Sequence, residues 1–222
     1  MATITDATPL INISTNQYPV YLYTVRQAAL ALANPVSLPP VPSEAQINAL
    51  GYAVVNTVAQ PAGDVVTEGV PSESNGVYTQ TWTSRSFTAD EIATNLGNAK
   101  AAASTAVDNA RIATFEIGMS YTFPDGTTQH VQMRDQDKIN LLTIQSAAAS
   151  LVAANDTTTT IPFRTYENND LALTGAQAAA MCSATITYGT KVYQASFTLK
   201  NQIIAAADIT AIPTIPGTIT VS

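Results

Sequence analysis

The chain has 222 residues, nine basic against sixteen acidic side chains for a formal charge of -7, and a single His, Cys and Trp. Without a basic run it offers no surface for a nucleic-acid backbone, and one His with one Cys builds neither a zinc site nor an iron–sulfur cluster and allows no internal disulfide. No apolar stretch reaches the ~18 residues of a membrane span, and MATITDATPL lacks the basic start and apolar core of a signal peptide, so neither membrane insertion nor a resident cofactor or metal is expected.

Residues 1–20 alternate short apolar and polar types around Ile4, Leu10, Ile11 and Ile13, with Pro9 and Pro19 interrupting, and predict an extended arm or short strand. Thr24–Gln27 opens a short helix that must stop before Asn34-Pro35, and Pro35, Pro39, Pro40 and Pro42 force an extended crossing. Ser43-Glu44-Ala45-Gln46 has capping-box spacing and Gly51 suits a left-handed stop, so one or two helical turns fit between them. Strands follow over 52–58, 65–70 and 77–87, the last two joined by Asn75-Gly76, a pair that favours a tight hairpin turn. Tyr78, Gln80 and Trp82 then share one face of the final strand. The first 87 residues make a small antiparallel sheet with short helices.

Thr88-Ala89-Asp90-Glu91 is a second capping box, and the Ala-rich, Pro-free run after it predicts a helix to about Ala113. Its apolar stripe, Ile92, Leu96, Ala99, Ala103, Val107 and Ala110, steps by three and four. That spacing is a narrow coiled-coil seam, and it predicts an oligomer interface. Phe115, Ile117, Met119, Tyr121 and Phe123 alternate with smaller or polar residues, Pro124-Asp125-Gly126 turns, and 129–133 returns, so a hairpin spans 115–133. A helix from Asp137 to Ala154 comes next, capped by Asp135 or Asp137, then extended segments over 161–166 and 171–173 around the turn Asn168-Asn169-Asp170.

From Gly175 to Ala207 local propensity and periodicity disagree. Ile186, Tyr188, Thr190, Val192, Tyr193 and Thr198 favour strands, with Tyr188–Lys191 as a hairpin turn, whereas Met181, Thr185, Tyr188, Val192, Ala195, Leu199 and Ile203 keep helical spacing without a Pro. Period outweighs propensity, and a long helix capped by Thr174 is the expectation, with the hairpin as its alternative. The tail from Ile212 contains two prolines and reads as an extended, strand-like arm.

Two parts of this order resemble tail proteins of double-stranded DNA bacteriophages. Gly51-Tyr52-Ala53-Val54-Val55, Pro61 and Gly76-Val77-Tyr78-Thr79-Gln80-Thr81-Trp82 are similar to the amino-terminal region of phage tail-fibre-region and tail-tip proteins. Residues 111–212 resemble a domain of unknown function common in the same proteins, with 170–180 and 200–212 carrying the likeness best. The resemblance implies a virion role in the tail fibre or baseplate and supplies no catalytic residues. The final helix departs from the pattern, being nearly uncharged and β-branched over Thr185–Thr190.

Candidate chemistry has a structural reading at each position. His130 sits on the return strand near Asp125, with no Ser or Cys in an interpretable nucleophile motif beside it. Asp135 and Asp137 suit a hard cation, yet a helix start asks for the same pair and there is no calcium-loop spacing. Cys182 fits as a small buried side chain. Asp64, Glu68 and Glu73 lack the spacing of a glycosidase pair.

The sequence therefore predicts an elongated, non-enzymatic α+β protein. It comprises a β-rich docking module over 1–87 with an extended arm, and a helix–hairpin–helix–long-helix module over 88–222 with a second arm. It is expected to assemble as a homotrimer through helix seams and strand-adding arms, together with other tail or baseplate proteins, in the virion tail after synthesis in the host cytoplasm. Two alternatives stand: a tail-fibre assembly chaperone absent from the particle, and an adhesin contacting a host receptor or glycan through Trp82 and Tyr78, with Tyr21 and Tyr23 as further exposed aromatics.

Overall fold

The structure, a computed structural model, describes residues 3–221. The chain divides into two compact units, Met1–Asp90 and Glu91–Ser222, strand-rich and helix-rich respectively, an α+β architecture.

The first unit holds β1 (Leu10–Asn12), α1 (Leu22–Leu30), α2 (Glu44–Asn48), β2 (Tyr52–Asn56), β3 (Val65–Ser74) and β4 (Val77–Arg85). Residues 3–20 are no free arm: β1 pairs antiparallel with β2, Leu10 and Val20 exchange backbone hydrogen bonds of 2.9 and 2.8 Å, and Ile4, Leu10, Ile11 and Val20 are buried. Burying both faces of β1 explains why. Leu10 joins Val20, Leu22, Val25, Ile47 and Tyr52 beneath the two helices, while Ile11 joins Ala53 and Val55 on the other side. The capping box of α2 forms as expected, Ser43 N–H donating to Gln46 Oε1 at 2.8 Å and Gln46 N–H to the Ser43 hydroxyl at 3.3 Å.

The sheet order is β1-β2-β4-β3, and β2 runs parallel to β4, so the sheet is mixed where an antiparallel one was expected. Edge chemistry accounts for the difference. β3 carries Pro71, which has no N–H to donate, a register irregularity between Gly69 and Ser72, and the charges Glu68 and Glu73; all of these suit an edge strand. That leaves β4 to bring Tyr78 beside Val55 in the inner row. The β3–β4 turn has Asn75 at φ 53° and Gly76 at φ 78°, the positive pair an Asn-Gly turn requires.

The second unit holds α3 (Ala89–Ile117), β5 (Met119–Thr122), β6 (Thr128–Val131), α4 (Asp135–Ala153), β7 (Thr160–Arg164), β8 (Asp170–Thr174), α5 (Gly175–Ala205) and a 3-10 turn at Ile209–Ala211. The expected 115–133 hairpin is shorter, because α3 carries Phe115 and Ile117 and stops only at Gly118. Gly118 has φ 89°, and a Cβ there would lie 2.2 Å from the Val131 carbonyl oxygen, so this residue type fixes the helix end. Phe115 is buried on the helix, its ring 5.4 Å from that of Tyr193. α4 begins two residues before its expected start, with Asp137 accepting from the Arg134 backbone N–H at 3.1 Å.

α5 is one continuous helix, capped by Thr174 and Gln177 as the periodicity implied. It runs antiparallel to α3: Lys100 Nζ reaches the Ile204 carbonyl at 2.8 Å, Lys200 Nζ pairs with Asp108 at 2.7 Å, and Arg111 lies 5.3 Å over the Tyr193 ring. Against α4 it packs closely enough that a Cβ on Gly175 would come within 2.7 Å of Leu151 Cβ. The carboxy-terminal tail, expected as an arm, folds back onto this unit. Ile219 is buried, its N–H donates to the Thr114 hydroxyl at 2.7 Å, and Ile215 and Val221 pack against the core. A tail of Ile and Val finds apolar cover on its own chain, which an arm would leave in water.

Candidate functional surfaces

Tyr78 and Trp82 lie on one face of β4 with Gln80 between them, as strand alternation requires, and all three are half-buried. The sheet adds two groups that sequence spacing did not connect to them, Tyr18 and Glu68. The Glu68 carboxylate accepts from the Tyr18 hydroxyl and the Gln80 amide, and Gln80 Oε1 accepts the Val58 N–H at 3.1 Å. Burial first, then the hydrogen bond to Glu68, pushes the Tyr18 phenol up to about 12, while the two donors hold Glu68 below its ordinary range. The network fixes Tyr18, Glu68 and Gln80 against one another. Trp82 Nε1 is buried without a hydrogen-bond partner. The other aromatics named for receptor contact, Tyr21 and Tyr23, are exposed at the start of α1.

His130 lies on β6, the return strand of the hairpin. Asp125 does not face it: its carboxylate accepts from the Thr127 N–H at 2.9 Å and hydroxyl at 2.7 Å, closing the β5–β6 turn. Glu167, from the loop between β7 and β8, takes that place, 2.7 Å from His130 Nδ1 and 3.0 Å from its backbone N. Those His130 bonds hold the Glu167 carboxyl down at about 2. Tyr166 N–H donates to the His130 carbonyl at 3.0 Å, and the Gln129 amide oxygen accepts from Thr165 and Asn169 at 2.6 and 2.9 Å. The cluster therefore staples two hairpins together. Sequence reasoning missed Glu167 because it lies 37 residues from His130 with no motif linking them.

Asp137 is held by Arg134 at 2.7 Å and Asp135 by Lys138 at 3.0 Å, both as helix-start pairs. Among the described residues no group of three or more His, Cys, Asp or Glu side chains could hold a metal ion. Cys182 is buried, and burial raises its thiol pKa, the environment of a structural cysteine.

The α3 seam splits. Val107 and Ala110 are buried within their own unit, Leu96, Ala99 and Ala103 are half-covered, and Ile92 is exposed. The interface expected along Ile92–Ala110 is thus partly used by the chain's own α5. In its place the unit presents a different apolar surface, with Ile112, Ile139, Leu142, Ile186, Phe197 and Ile204 each more than half exposed. Between α4 and α5 lies a groove of about 270 Å³, walled by Phe115, Leu142, Ile186 and Tyr193, with Cys182 and Gly189 at its edge on α5. No helix among the described residues is long and apolar enough to cross a membrane.

The chain is thus a two-unit α+β protein with several large apolar side chains exposed on its second unit. A family described as a domain of unknown function (DUF4376) matches residues 73–216, well over half of the chain, and the protein belongs to that family. No curated protein and no solved structure matches the chain.

Proposed function

We propose that this protein is a non-enzymatic structural component of a bacteriophage tail, a tail-fibre or baseplate-periphery protein that works by assembling with copies of itself and with neighbouring tail proteins in the virion. The resemblance of 51–82 and 111–212 to tail proteins supplies the setting. The observation that carries the assembly role is the exposed apolar surface of the second unit, where Ile139, Leu142, Phe197 and Ile204 remain open to water in the folded chain. Large apolar side chains exposed in this number on one unit favour an interaction surface. The packed tails shift the mechanism from strand-adding arms toward docking of a preformed face.

Mass spectrometry of purified particles tests the reading. The chain is expected in them at fixed stoichiometry to the other tail proteins. Its presence in infected-cell lysate and absence from particles would replace this reading with that of an assembly chaperone. Binding of the free protein to host cells, lost on Trp82→Ala with the assembly intact, would replace it with that of an adhesin.

A further inference from the structure

The outward side of α5 carries a stripe at Ile186, Thr190, Tyr193, Phe197, Lys200 and Ile204, stepping by four, three, four, three and four residues, the spacing of a helix-to-helix seam. Thirty-one residues of α5 include two charges, Lys191 and Lys200, and Lys200 is already neutralised by Asp108 at 2.7 Å. The stripe itself thus brings little charge to a contact, and the charges that border it, Arg111 and Lys138, lie over the Tyr193 and Phe115 rings. One half of it is concave and the other convex. The groove opens beside Ile186 and Thr190, with Leu141 and Leu142 of α4 on its facing wall and Met133 packed against Gly189 at its floor, and Phe197 stands out at 56 % exposure beyond it. Tyr193, between them, is held rigid by Phe115 at 5.4 Å, Phe197 at 6.2 Å and Arg111 at 5.3 Å.

We infer that this face binds a second copy of the same chain, the two α5 helices crossing antiparallel about a two-fold axis at Tyr193, with Phe197 of each copy seated in the groove of the other. The order of hole and knob along one stripe selects that arrangement. Gly189 and Phe197 lie four residues, ~6 Å, on either side of Tyr193, so reversal about Tyr193 brings each knob over the opposite hole. A parallel pairing sets Phe197 against Phe197 and leaves both grooves empty. A head-to-tail translation fills the grooves but generates an open filament, whereas the two-fold closes. The half-exposed residues Ile112, Leu142, Ile186, Tyr193, Phe197 and Ile204 offer about 80 Å² each, so two copies cover on the order of 1,000 Å² before the flanking Thr and Gln side chains are added, which approaches the lower edge of stable interfaces. The preformed aromatic ladder reduces the ordering cost of the contact. This names the surface for the self-assembly proposed above and rests on that part of the reading.

Light scattering and sedimentation equilibrium of the full chain at micromolar concentration are expected to give twice the 23.3 kDa chain mass. Phe197→Asp is expected to weaken the dimer at least a hundredfold and Phe197→Ala at least tenfold, with unchanged helical circular dichroism. Because Cys182 is buried, Tyr193→Cys provides the accessible thiol; a short bis-maleimide is expected to link it to its own counterpart, and Thr187→Cys, on the polar side of α5, is expected to stay unlinked. A monomer, a trimer, a dimer indifferent to both Phe197 variants, or a dimer without the Tyr193→Cys link would each overturn the inference. A monomer in solution that is nevertheless present in particles overturns this surface and spares the tail reading; the linked dimer absent from particles does the reverse.

Discussion

Thr114→Val isolates the bond that keeps the carboxy-terminal tail on its own chain. Thr114 is 3 % exposed on α3, and its hydroxyl donates to the Ala110 carbonyl at 2.7 Å while accepting the Ile219 N–H at 2.7 Å. Valine keeps the shape and removes the acceptor. Ile219 is itself buried at 4 %, so its N–H is left without a partner, a cost of about 1–3 kcal/mol. The equilibrium for local release of the tail then rises roughly 5- to 150-fold. Hydrogen exchange of the Ile219 amide reads that opening directly. Thr114→Ser keeps the acceptor and is expected to exchange near the wild-type rate, whereas Thr114→Val exchanges faster by the factor above with α3 still helical. Equal exchange in Val and wild type would refute the assignment of this hydroxyl as the tether. The result bears on function as well, since a tail that adds a strand to a neighbour must first leave this site.

Gly118→Ala forces a Cβ to within 2.2 Å of the Val131 carbonyl at a φ of 89° and is expected to cost about 2–4 kcal/mol in urea unfolding of the second unit; a loss below about 1 kcal/mol would mean that the α3 end relaxes freely. Folding lowers Glu167 from its ordinary 4.5 to about 2, so its contribution is complete above pH 4.5 and disappears as the pH falls toward 2. Glu167→Gln is therefore expected to melt below wild type at pH 6 and to converge with it near pH 2; a constant gap across that range contradicts the His130 pairing. Tyr18 is raised from 10 to about 12, so the neutral phenol's contribution holds below pH 10 and is lost as the pH rises through 12. Among nine tyrosines, Tyr18→Phe is expected to remove a late component from the ultraviolet tyrosinate titration, and an unchanged curve would contradict the Glu68 contact.

Where residue type alone dictates geometry, the sequence was legible: Asn75-Gly76 in the hairpin, the Ser43–Gln46 and Thr174–Gln177 capping boxes, and the turn at Asp125. Element identity blurred where one pattern served two structures. Phe115 and Ile117 alternate like a strand, yet α3 carries them because the left-handed stop falls at Gly118, a conformation Ala113 does not favour. The parallel β2–β4 pair was hidden because its cause, the Pro71 edge, lies in a third strand. The seam of α3 was read correctly as apolar, but periodicity does not say whose helix covers it. Lys200, about ninety residues later in the chain, reaches Asp108 beside it, and Ala110 joins the core cluster that holds Val192 of α5. Glu167 opposite His130 and Tyr18 opposite Glu68 are likewise products of long-range topology.

The composition of α5 becomes intelligible through its hydroxyls. Thr and Ser favour strands or turns partly because their side chains compete for backbone groups, and α5 carries them along its length. Here Thr185, Thr187, Thr190, Ser196 and Thr198 each donate to the carbonyl four residues earlier, at 2.7–3.0 Å. A hydroxyl satisfied by its own helix presents mainly its methyl or methylene to a neighbour and leaves no orphan donor when covered. Thr185 and Ser196 already exploit this, buried at 3 % and 0 %. Thr187, Thr190 and Thr198 have the same bonding among the exposed residues, so their hydroxyls add no orphan donor wherever they are covered. A helix nearly free of charge, with back-bonded hydroxyls and a rigid aromatic ladder, is thus suited to water on one occasion and to a protein surface on the next, which is what a component that folds before it assembles requires.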